Sequence, residues 1–98
     1  MDKIVFITGA SSGIGAGCAR KFASQGASLI LNARNVNKLS ALKEELEKQY
    51  GAKIYLLPFD VRDRKAATSA LESLPKEWQS IDILVNNAGI NKDRMLHK

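Results

Sequence analysis

Ninety-eight residues with 45% hydrophobic and 26% charged content suit one soluble globular domain spanning 1–98, and argue against a disordered or collagen-like chain and against two domains. Fifteen Lys and Arg against ten Asp and Glu give a formal charge of +5, but Lys38, Lys43 and Lys48 interleave with Glu44, Glu45 and Glu47, so no basic block points to nucleic acid. No apolar run approaches the ~18 residues that cross a bilayer, and Met1-Asp2-Lys3 leads into no secretory cleavage pattern, so the expected setting is cytoplasmic, with no membrane partner.

Lys3 to Thr8 (KIVFIT) is a continuous apolar run of strand length, broken by Gly9 and Gly13. From Ile14 the period becomes helical: Ile14, Cys18 and Phe22 recur every four residues beside Ala19 and Ala23, and Gly26 closes the last turn. Cys18 is therefore expected in the core, and as a lone cysteine it supports neither an internal disulfide nor a multi-cysteine metal site; no metal ligands are predicted. Ser28 to Ala33 (SLILNA) reads as a second buried strand. Asn35 or Asn37 then caps a helix with Leu39, Leu42 and Leu46 on one stripe, Glu44 pairs with Lys48 on the wet side, and Gly51 ends it.

Lys53 to Phe59 forms a third strand, with Pro58 near its end or on an edge. Asp63 caps a third helix whose buried stripe is Ala67, Leu71 and Leu74, Pro75 stops it, and Ile81 to Val85 supplies a fourth strand. The order βαβαβαβ implies right-handed crossovers, hence a Rossmann-like, doubly wound α/β fold with a parallel sheet. The glycine-rich turn belongs beside a central strand, which predicts strand order 3-2-1-4.

The segment Thr8-Gly9-Ala10-Ser11-Ser12-Gly13-Ile14-Gly15 stands between a strand and a helix, the context that makes a glycine pattern specific. Gly9 permits the tight turn, Gly13 lets a diphosphate approach the backbone, and Gly15 lets the helix lie close on the sheet. The orphan N–H groups at the helix start favour an anion, and the hydroxyls of Ser11 and Ser12 are expected to add hydrogen bonds. A glycine turn kept for geometry alone is the competing reading. No Gly-Lys-Ser/Thr follows, so this is not the P-loop of nucleotide triphosphatases.

With the TGxxxGxG turn at 8–15, Asp60-Val61 after the third strand and Asn86-Asn87-Ala88-Gly89 after the fourth, the chain resembles the short-chain dehydrogenase/reductase family over nearly its whole length. The resemblance implies NAD(P) binding: pyrophosphate at Gly9, Ser11, Ser12, Gly13, Ile14 and Gly15, adenine flanked by Asp60 and Val61, and a floor beside the nicotinamide ribose from Asn87, Ala88 and Gly89. Where NAD enzymes place a carboxylate for the ribose diol, this chain has Ala33-Arg34; a guanidinium there favours the 2′-phosphate of NADP.

The family's catalytic Tyr-x-x-x-Lys pair has no counterpart in these residues, since Tyr50 is followed four places on by Ile54 and Tyr55 by Phe59. Nor has His97 a recognisable catalytic partner. The expectation is the cofactor-binding portion of an oxidoreductase that meets a hydroxy or oxo substrate only when completed by a C-terminal half, with a non-catalytic nucleotide-binding or structural module as the alternative. Asp60-Val61-Arg62, Ser73-Leu74-Pro75 and Trp78 resemble the NADP-dependent 3-hydroxy acid dehydrogenase branch, whereas residues 90–98 resemble 3-oxoacyl-thioester reductases. With no fifth strand beside the fourth, a free sheet edge is expected to drive self-association.

Overall fold

Val5 and Ile7 face one side of the first strand and Phe6 the other, and all three are buried, so this strand lies in a sheet covered on both faces. It is β1 (Ile4–Thr8), followed by α1 (Gly13–Ser24), β2 (Ser28–Leu31), α2 (Val36–Tyr50) and β3 (Ile54–Leu56). Then come α3 (Arg64–Glu72), a 3-10 turn (Lys76–Trp78), β4 (Ile83–Asn86) and β5 (Leu96–His97). The computed structural model describes residues 2–87, Leu96 and His97.

β1 to β4 are parallel in the order 3-2-1-4, with Val5 opposite Leu29 on one side and Ile83 on the other. β5 adds an antiparallel neighbour, pairing His97 with Leu84 and Leu96 with Val85. The outer side of β4 is thus not the wholly free edge expected from the sequence.

Two successive crossovers step the same way, β1 to β2 to β3, and put α1 and α2 on one face. There Val5, Ile7, Leu29, Leu31 and Ile54 meet Ala19, Ala23, Leu39, Leu42 and Leu46. The step from β3 back past β1 to β4 reverses direction, so a right-handed connection delivers the next segment to the opposite face. Phe6 and Ile30 are met there by Leu57, Leu74 and Trp78. Trp78 is 5% exposed, with the Tyr55 ring at 5.6 Å and the Lys53 ammonium 5.5 Å above its face.

The caps follow side-chain chemistry. Ser12, Asn35 and Asp63 each accept a backbone N–H three residues on, from Gly15, Lys38 and Ala66. At the other end of α1, Gly26 N–H reaches Ala23 O and Ala27 N–H reaches Phe22 O, the paired closure of a Schellman motif; Gly51 ends α2.

Several details differ from the sequence reading. In α1 the buried line is Gly15, Ala19 and Ala23, with Cys18 and Phe22 half-buried beside it, while Ile14 is 67% exposed. Small residues face the sheet because helix and strand approach too closely for larger ones. In α3 no residue is fully buried and Leu71 is 39% exposed; the helix ends at Glu72, Ala70 packs half-buried against the core, and of the expected stripe Leu74, beyond the helix, is buried. β2 stops at Leu31 and β3 at Leu56, where Pro58 has no N–H to continue a ladder. The surface pair on α2 is Lys43–Glu47 at 3.2 Å, not Glu44–Lys48. Among the described residues no helix is long and apolar enough to cross a membrane.

Candidate functional site

The carboxyl ends of β1, β2 and β3 open into one cavity of about 480 Å³, within the range of small-molecule sites. The loops after parallel strands meet at this end of the sheet because every crossover returns the chain to the opposite end. From the predicted set, Gly9, Ser11, Ser12, Arg34, Asp60, Val61 and Asn87 line it. Asn32, Ala33, Lys38, Phe59 and Arg62 complete the wall.

Three glycines shape the first turn differently. Gly9 has φ +62°, a conformation that an L side chain resists. A Cβ on Gly15 would stand 2.1 Å from Gly9 O, 2.8 Å from Asn87 Nδ2 and 2.9 Å from Ala10 Cα, so only glycine permits this approach of helix to turn. A Cβ on Gly13 would meet nothing within 4 Å, which is the open backbone surface that a bulky anion requires.

Ser12 has no spare capacity. Its hydroxyl donates to Gly9 O at 3.0 Å and accepts from Gly15 N–H at 3.1 Å and from Asn87 Nδ2 at 2.9 Å. The hydroxyl donor expected for a phosphate is therefore already committed to the loop. The N–H groups of Gly13 and Ile14, first in α1, have no partner among the described residues, so at this helix start they are the donors open to an anion.

Asn87 ties the end of β4 to the turn: its N–H donates to Thr8 Oγ1 at 2.9 Å and its Nδ2 also reaches Gly9 O at 3.3 Å. Thr8 Oγ1 in turn donates toward Asn86 Oδ1 at 3.1 Å. Ala88 and Gly89, predicted to continue this floor, lie outside the described residues.

On the opposite wall Arg62 grips Asp60 three times, through its backbone N–H at 2.9 Å, Nε at 3.1 Å and Nη2 at 2.9 Å. These hydrogen bonds, with a smaller contribution from the Arg34 charge, lower the Asp60 carboxyl to about 2. Arg34 Nη1 stands 3.9 Å from Asp60 Oδ2 with its side chain 71% exposed, and Lys38 has no ion-pair partner among the described residues. Asp60 is thus neutralised mainly by Arg62, which leaves Arg34 and Lys38 as a net positive corner of the cavity.

Asn32 and Lys38 were missed by the sequence reading, which took the first as part of an apolar strand and the second as a solvated helix face. Both carried a signal: an amide inside a buried run needs partners, and a cation in the first turn of a helix opposes its dipole.

Comparison with known proteins agrees with this geometry. The sequence profile of the short chain dehydrogenase family matches residues 3–98, and the chain belongs to that family. It is 46% identical over 87 residues to the NADP-dependent 3-hydroxy acid dehydrogenase YdfG of Escherichia coli K12, covering 89% of this chain and 34% of that protein. Sulfoacetaldehyde reductase 2 of Chromohalobacter salexigens is 44% identical over 90 residues, 92% of this chain and 35% of the relative. The crystal structure of L-sorbose reductase from Gluconobacter frateurii, complexed with NADPH and L-sorbose, superposes with a TM-score of 0.84 at 38% identity, covering 90% of this chain and 34% of that one. The chain thus spans about a third of the length of these relatives.

Proposed function

We propose that this chain binds NADP(H) in the cavity at the ends of β1–β3, as the cofactor-binding portion of a short-chain oxidoreductase that acts in the cytoplasm on a hydroxy or oxo substrate such as a 3-hydroxy acid. The observation that carries this reading is one cavity lined on one side by the turn residues Gly9, Ser11 and Ser12, just before the open N–H groups of Gly13 and Ile14, and on the other by Arg34 and Lys38, with the one carboxylate between them, Asp60, held mainly by Arg62 and 3.9 Å from Arg34. The relatives' NADP dependence and NADPH complex support it.

The roles follow from the chemistry of each group. Gly13 and Ile14 N–H hold the pyrophosphate at the positive end of α1, with Gly9 and Gly15 setting the turn and Ser11 and Ser12 its rim. Arg34, joined by Lys38, takes the 2′-phosphate, the guanidinium as a forked donor and the ammonium as a point charge. Asp60 and Val61 flank the adenine, and Asn87 with Ala88 and Gly89 supports the nicotinamide ribose. When bound, the reduced dinucleotide would supply hydride to an oxo substrate and the oxidised one accept it from a hydroxy substrate; the proton that the substrate oxygen gains or loses needs a separate acid or base. Neither Tyr50 nor Tyr55 lines the cavity, the latter being stacked against Trp78. That observation favours a second reading, a nucleotide-binding module without turnover.

Calorimetric titration should show NADPH binding more tightly than NADH, with the preference reversed in Arg34→Asp. The expected loss for NADPH is about 2 kcal/mol or more, the weight of a charge-assisted hydrogen bond, or about thirtyfold in affinity. Equal NADPH affinity in wild type and variant would remove Arg34 from the site. Loss of NADPH absorbance with an added oxo acid distinguishes an enzyme from a binding module.

A further inference from the structure

Asn32, directly after β2, is 1% exposed and lines the same cavity. Its backbone has turned toward β1: the N–H donates to Ile7 O at 2.9 Å and the carbonyl accepts from Ala10 N–H at 2.8 Å, bracketing the point where strand becomes glycine turn. Its side chain serves the opposite wall, with Nδ2 donating to Leu57 O and to Phe59 O, each at 3.0 Å. Between these two carbonyls sits Pro58, which has no N–H. Leu57 N–H still reaches Leu31 O at 2.9 Å, and past it the Asn32 amide replaces the backbone neighbour that β2 no longer offers.

We propose that Asn32 is the positioning residue of this cavity, fixing the wall that carries Phe59, Asp60 and Val61 at a set distance from the glycine turn so that the adenosine half of a dinucleotide fits between them. The inference rests on the dinucleotide reading above and adds to it the residue that sets the width of the slot. Asn32 acts through Asp60 and Val61, not on reacting atoms. A primary amide on a short stem is what the geometry requires: threonine has one donor where two are used, and aspartate would turn a carboxylate toward two carbonyl oxygens.

The test compares binding of adenosine 2′,5′-bisphosphate and of NADPH to the chain and its Asn32→Thr variant by calorimetry, with folding followed by circular dichroism. The expected variant melts cooperatively and binds both ligands about tenfold more weakly, the scale of one lost hydrogen bond. The whole NADPH loss should already be present in the bisphosphate, because both probes share the adenosine half. Exchange of the Arg62 amide should quicken while that of Val5 and Phe6 does not. A folded variant that binds the bisphosphate within about twofold of wild type, or loses NADPH affinity alone, overturns the inference. Should Asn32→Thr not fold, the wild type still decides by nuclear magnetic resonance. Both Asn32 side-chain amide protons must exchange slowly and shift when the bisphosphate is added; rapid exchange or no shift overturns the inference. A wild type that binds neither probe overturns the dinucleotide reading itself, and the inference with it.

Discussion

Asp60 shows how a single carboxylate can sit in the proposed anion site without spoiling it. Held by Arg62, it keeps its charge down to about pH 2, so it remains paired and fixed throughout the physiological range. The 2′-phosphate of NADPH, the proposed ligand, in contrast takes its second charge near pH ~6. NADPH affinity should therefore rise between about pH 5 and pH 7.5 while NADH affinity stays flat, as titration calorimetry at several pH values will show. A parallel rise for both cofactors would place the titrating group in the protein. The stability linked to Asp60 has the sign of a depressed carboxyl: it is fully present above the ordinary value of 3.8 and is lost as pH falls through about 2. Seven of the residues lining the candidate cavity, Gly9, Ser11, Ser12, Arg34, Asp60, Val61 and Asn87, were legible at this scale, whereas Gly13, Ile14 and Gly15 do not line it. Spacing within a strand-to-helix turn marked Gly9, Gly13 and Gly15, because each shape requirement names a residue type. Asn32 and the commitment of the Ser12 hydroxyl were not legible, because hydrogen bonds spanning 25 residues, as from Asn32 to Leu57, or 75, as from Asn87 to Ser12, leave no local pattern.

Among the elements, α1 is the one whose glycines are most unequal. Gly15→Ala drives a methyl into the Gly9 carbonyl and should cost ~3 kcal/mol or more, at the upper end of overpacking penalties, against a total stability that is ordinarily about 5–15 kcal/mol. Gly17, two residues on and so on nearly the opposite side of the helix, has nothing within 4 Å of an added Cβ. Gly17→Ala should stabilise the helix by up to ~1 kcal/mol. Chemical denaturation of the two variants checks the contrast, and a Gly15→Ala protein as stable as wild type would contradict the close approach. The order and type of elements were readable because strand-length apolar runs alternate with helical periods. Which side of α1 is buried was not, because hydrophobicity ranks Ile14 above Gly15 and Ala19 whereas the distance between helix and strand selects for size. The same limit applies to α3, whose apolar residues are periodic but lie where little packs on them. The cross-link between α1 and α2, Arg20 Nε to Glu45 at 2.6 Å, is exposed, and by surface ion-pair standards adds under ~1 kcal/mol.

At the scale of the molecule, the described residues cover the two faces of the sheet unequally. Among the described residues the first carries α1 and α2, each with three buried residues, whereas the second carries α3, which has none, and leaves Ile4, Tyr55, Phe59, Ile81 and Leu84 partly buried. We expect this face to draw copies of the chain together, so the sedimentation coefficient should climb over a concentration series; a single monomeric boundary at every concentration would refute it. That β1 to β4 are parallel in the order 3-2-1-4 was predictable from chain direction and the placement of the glycine turn, since handed crossovers leave few alternatives. β5 was not, since two residues pairing antiparallel make no run long enough to notice.

The central place of β1 has a further consequence for how the chain is made. β1, α1, β2, α2 and β3 follow one another in synthesis and pack among themselves, whereas the partner on the far side of β1 is contributed by residues such as Asp82, 78 positions after Ile4. At translation speeds of roughly 5–20 residues per second, a nascent chain spends several seconds with the oldest strand exposed along one flank. Chaperone capture, or pairing with a neighbouring nascent copy, is most to be expected in that interval, and it ends when β4 slides into the gap.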